Sequence, residues 1–108
     1  MENAVNSGSV LKLTAPSGGV VSGTVYKIGS LIVVAQATVA EGLSFAAVPR
    51  LVLDYAKTSA QAWTEGVLLY WDDTNKVFTT TSTSNTLCGY ATEVAANPST
   101  TGRVFLTN

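Results

Sequence analysis

Turn residues punctuate this chain at short intervals, and that spacing constrains the fold more than any other feature. Pro16-Ser17-Gly18-Gly19, Gly29-Ser30, Glu41-Gly42, Asp72-Asp73-Thr74-Asn75 and the segment from Asn97 to Gly102 each stop an apolar stretch early. The stretches between them alternate. Leu11 and Leu13 share a face, as do Tyr26 with Ile28, and Leu51 and Leu53 with Tyr55. At the far end Val104 and Leu106 point inward, with Arg103 and Phe105 outward. Leu31–Ala35 is apolar on both faces, the pattern of a central strand covered on each side. Pro49 belongs at an edge or a bend. The pattern predicts an all-β chain, a small single-domain β-barrel or sandwich of about eight or nine short strands.

One stretch reads differently. Thr58-Ser59-Ala60-Gln61 fits a capping box, with Trp63 placed to pack the turn inward and Gly66 to end it. One short helix is therefore expected over residues 59–65. Residues 1–9 are small and polar and read as a flexible N-terminal arm, leaving 10–108 as the β domain.

Composition narrows the function. The 108 residues carry 6 Lys and Arg against 7 Asp and Glu, for a net charge of −1. The cations are scattered from Lys12 to Arg103, so no basic patch forms and no nucleic-acid partner is expected. Charged residues make up 12% of the chain, about half the usual share. Ser and Thr replace them, giving a surface that can meet a protein neighbour with little desolvation of charge. Met1-Glu2-Asn3 does not open a signal peptide, and Leu31–Ala35 is far too short to span a bilayer. Synthesis in the cytoplasm and no membrane partner are the expectations.

Catalytic chemistry has little to build on. With no His, triads and the commonest zinc ligand are missing. Cys88, the single cysteine, lies in the apolar run Leu87–Ala91 and reads as a small buried hydrophobe. Ser17-Gly18-Gly19 lacks the ending of a phosphate-binding loop. Asp72-Asp73 would be either a cation ligand pair or a turn whose carboxylates bond backbone N–H groups, and the turn is favoured. No enzyme activity and no cofactor are expected. Trp63 reads as core. In Tyr70-Trp71 neighbours alternate faces, so one ring points outward. Trp71, Tyr70 and Phe105 are thus candidate interface residues, with Glu2, Asn3 and Asn6 of the arm.

A series of short elements carries a resemblance across nearly the whole chain: Leu11-x-Leu13-Thr14-Ala15-Pro16-x-Gly18-Gly19-Val20, Ser22-Gly23-Thr24, Gly29-x-Leu31, Ala62-Trp63, Leu69-Tyr70-Trp71-Asp72 and Thr101-Gly102-Arg103-Val104. In these the chain resembles the small capsid decoration, or cement, proteins of tailed bacteriophages. It departs from them at Ala47-Val48-Pro49-Arg50 and in the unusually apolar Leu51–Tyr55 that follows. The resemblance implies a non-enzymatic virion protein on the capsid exterior. It also implies a phage major capsid protein as partner, and copies clustered as a homotrimer, with a dimer as the other possibility. Two rival readings are a carbohydrate- or receptor-binding virion module, using Tyr70, Trp71 and Tyr90, and a head–tail connector or tail-tube subunit.

Overall fold

The computed structural model describes residues 10–107. Within them the chain forms nine strands: β1 (Leu11–Thr14), β2 (Val25–Ile28), β3 (Leu31–Ala35), β4 (Ser44–Val48), β5 (Arg50–Ala56), β6 (Leu68–Asp72), β7 (Val77–Thr79), β8 (Thr86–Ala91) and β9 (Thr101–Thr107). They build a four-stranded sheet in the order β1-β4-β3-β2 and a five-stranded sheet in the order β5-β9-β8-β6-β7. The chain passes from one sheet to the other at Pro49, the bend that proline imposes between β4 and β5. The five-stranded sheet curls until its two edges touch at one point, just past the end of β5. Lys57, just past β5, bridges Phe78 of β7, and the Thr58 N–H donates to the Phe78 carbonyl.

β3 explains its own composition. Ile32 and Val34 point into the core between the sheets, with Trp63, Leu69, Trp71, Phe78, Val104 and Leu106. Val33 and Ala35 point the other way, into a second cluster with Ala15, Val20, Phe45 and Ala47. Loop residues close that outer cluster, where Val20 and Val39 pair across it. Tyr55 ties the two sheets. Its hydroxyl accepts from the Val25 N–H at 3.1 Å, and its ring lies 6.0 Å from Trp71 and 5.8 Å from Phe78.

The expected helix over 59–65 does not form, and no helix occurs among the described residues. The groups a capping box would use are engaged elsewhere. The Gln61 amide donates to Thr79 and Thr81 hydroxyls at 3.0 and 3.1 Å and accepts from the Thr80 N–H at 2.9 Å. Trp63 exchanges both main-chain hydrogen bonds with Ala95, at 2.7 and 3.1 Å. Gly66 does take the left-handed conformation, φ 83°, but in a turn. Tertiary pairing overrides a local propensity worth only a few tenths of a kcal/mol per residue, roughly.

This segment lies across the core as an extended strap. Lys57, only 3% exposed, pins it. Its ammonium donates to the carbonyls of Thr58 at 2.9 Å and Ser99 at 3.3 Å, and to that of Gln61, and sits 5.5 Å from the Trp63 ring centroid. Burial lowers the Lys57 pKa from its ordinary value. Beneath the strap, Trp63 rests on Gly102 of β9, where a Cβ would fall 2.4 Å from a ring carbon. Gly102→Ala is expected to cost about 1–3 kcal/mol by overpacking. Urea unfolding should show a lower midpoint at unchanged slope; a midpoint equal to wild type would contradict this packing.

Candidate interaction surface

The outer face of the five-stranded sheet carries a row of large apolar side chains. Val52 of β5 faces Phe105 of β9, Phe105 faces Tyr90 of β8, and Tyr90 faces Leu68 of β6. Their exposures are 55%, 38%, 42% and 43% in that order. Adjacent strands lie about 4.8 Å apart, so the row spans roughly 14 Å. Tyr70 and Leu87 face each other in the neighbouring row. An apolar patch on the order of a few hundred Å² is at the size that marks interaction sites.

A β-bulge puts Tyr90 in the row. Leu69 pairs with Gly89 and Tyr70 with Leu87, leaving Cys88 as the extra residue. Strict alternation from an outward Leu87 would turn Tyr90 inward. With the bulge, Cys88 and Gly89 are both buried and Tyr90 is outward. Gly89 permits it, since a Cβ there would lie 2.0 Å from the Phe105 carbonyl oxygen.

On the Arg103 side of the row the charges are matched. Arg103 binds Asp54 through two hydrogen bonds, at 2.9 and 3.1 Å, and Glu93 at 2.5 Å. That pairing lowers the Asp54 pKa and raises that of Arg103. A partner lying on the apolar row therefore meets a neutralised flank.

The structure separates the residues singled out from the sequence. Phe105 and Tyr70 lie on this face. Trp71 does not: it is 1% exposed, packed at 4.9 Å on Phe78, with its indole N–H donating to Asp73 at 3.0 Å. Its side chain takes the inward alternation of β6, which excludes it from any surface made by Tyr70 and Tyr90. Glu2, Asn3 and Asn6 fall outside the described residues. Val52, Leu68 and Leu87 were missed. Each is the outward aliphatic residue of its own strand, and only the cross-strand register brings them together.

The other candidates resolve into structure. Asp72 accepts from the Thr74 and Asn75 N–H groups at 3.0 and 3.1 Å and from the Asn75 amide at 2.8 Å. Those bonds, the Asn75 side chain first, hold its pKa below the ordinary value. Asp73 is lowered by hydrogen bonds from Lys76 and then Trp71. The Asp pair is thus a turn, and no group of three metal-ligating side chains occurs among the described residues. An open hollow of about 450 Å³ beside it includes Thr74, Thr79, Thr81, Ser84 and Asn85 in its lining, which holds no aromatic ring.

Cys88 is 2% exposed, and burial pushes its thiol up to about 12. A thiol titrating that high stays protonated, and so unreactive, throughout the neutral range. The native protein is expected to resist iodoacetamide at about pH 8 and to react once unfolded; rapid native labelling would contradict the bulge geometry.

A family model described as phage cement protein matches residues 5–106. No curated protein and no solved structure matches the chain.

Proposed function

Because the chain belongs to the phage cement protein family, we propose that it attaches to the outer surface of a phage capsid and stiffens the shell. The observation that favours this mode of action is the apolar row Val52–Phe105–Tyr90–Leu68 on the outer sheet face. A head under internal pressure fails where subunits separate. A module lying across such a seam resists separation by its contact area, and many copies make modest contacts effective. The row itself carries no charge, so burying it costs little desolvation. A curled sheet packed inside by aromatic rings transmits load without yielding. The N-terminal residues Glu2, Asn3 and Asn6 add to the proposed contact with the shell.

The test mixes purified protein with undecorated capsids, pellets them and heats the product. Co-sedimentation and a raised rupture temperature are expected. Phe105→Asp should leave the fold intact, because the side chain is outward, and weaken attachment about tenfold or more by placing a charge in an apolar contact. Deleting residues 2–8 should also weaken attachment. Absence of co-sedimentation, or an unchanged rupture temperature at full occupancy, would reject the cement role. Undiminished binding by Phe105→Asp would move the contact to another face.

A further inference from the structure

From Arg50 to Asp54, no strand among the described residues pairs with the outer edge of β5. β5 ends the five-stranded sheet, and among the described residues the bridge at that edge involves its C-terminal continuation, from Lys57 to Phe78. On the other side, the Lys57 N–H donates to the Thr100 carbonyl in the extension of the β5–β9 ladder. Hydrogen-bonded pairs alternate along an antiparallel ladder. Leu51, Leu53 and Tyr55 therefore direct their main-chain groups to β9. Arg50, Val52 and Asp54 direct theirs away from it, out of the edge. The side chains of these same three residues are exposed on the outer face. The strand is 7 residues long, with no proline, lysine or bulge to blunt it.

We propose that β5 forms a two-fold contact between two copies of this chain, edge to edge and antiparallel, centred on Val52. In that register Val52 faces Val52 of the partner subunit, and Arg50 faces Asp54 of the partner subunit in both directions. The order Arg50-x-Val52-x-Asp54 is its own complement when reversed. A two-fold interface needs this, since it uses one patch twice. Sliding by two residues sets a charge against Val52. Sliding by one requires main-chain groups that already bind β9. The charges fit as well. Arg50 makes none of the ion pairs found among the described residues. Asp54, though held by Arg103, keeps a side chain 62% exposed. Across the axis, Glu93, Arg103, Asp54 and Arg50 of the partner subunit alternate in sign.

The pairing gives about six main-chain hydrogen bonds. It also joins the two apolar rows at Val52 into one band across eight strands, roughly 33 Å long. The unit is a pair, in place of the three-fold cluster that the resemblance implies.

Light scattering over a wide concentration range should report a pair for the full chain. Arg50→Glu, which sets like charges opposite at both ends, should raise its dissociation constant about tenfold. Val52→Pro removes the N–H aimed out of the edge while sparing the β9 ladder, and should abolish pairing; circular dichroism reads whether each variant folds. Val52→Cys should crosslink readily under mild oxidation, because facing strands hold Cα atoms about 5.5 Å apart. Val94→Cys, exposed outside any strand, should not. A chain that stays monomeric overturns the proposal. So does an oligomer that survives both Arg50→Glu and Val52→Pro, or a Val52→Cys chain that crosslinks no faster than Val94→Cys. None of these measurements involves a capsid, so pairing and attachment fail separately.

Discussion

The contact between Trp63 and Gly102 holds the five-stranded sheet in its shape. The indole lies where any side chain on Gly102 would be, so β9 and the strap over residues 57–67 approach within van der Waals distance. The Lys57 ammonium then gathers the carbonyls of Thr58 and Gln61, in the first half of that strap, and of Ser99, just ahead of β9. A buried lysine without a carboxylate is costly to solvate. Here three oxygens and an aromatic face replace its water. With the strap fixed, Lys57 and Thr58 reach Phe78, and the two edges of the sheet touch at that point. The outer row keeps its register because the inner face is braced in this way.

Strand patterning was plain in the sequence where one face is buried and the other wet. β5 and β9 alternate as read, and the two-sided apolar character of β3 reports its two cores. The Asp72 turn was readable because aspartate next to Thr and Asn has a local main-chain use. The strap was not. Thr58 to Gln61 has the letters of a helix start, and only contacts with Thr79, Thr81 and Ala95, far along the chain, cancel it. Trp71 was half legible: alternation requires one of Tyr70 and Trp71 to face out, but the choice depends on the parity of β6 against β8.

The apolar face was the least legible part. Phe105 stands out as an aromatic beside an arginine in an alternating strand. Val52 and Leu68 do not stand out at all, because each sits between aliphatic neighbours, Leu51 and Leu53 or Val67 and Leu69, that hide which of them faces out. The bulge at Cys88 adds a further obstacle, since it changes the facing of Tyr90 without leaving a mark in the hydropathy pattern. Surfaces built by register are properties of strand pairs, and a single strand carries only its own half.

The position of β9 has a consequence for synthesis. It is the last strand in chain order, yet it sits between β5 and β8, inside the sheet. β1 to β4 can pair with one another as soon as they emerge, because every partner in their sheet lies within the same stretch. β5 follows at once but has no partner until β9 arrives, some way behind. Long-range pairing of this kind is slow. During that interval both edges of β5 are bare, including the one that binds β9 in the finished protein. A nascent chain would then depend on the speed of its own completion, or on a chaperone, to keep Leu51, Val52 and Leu53 from pairing with the wrong neighbour.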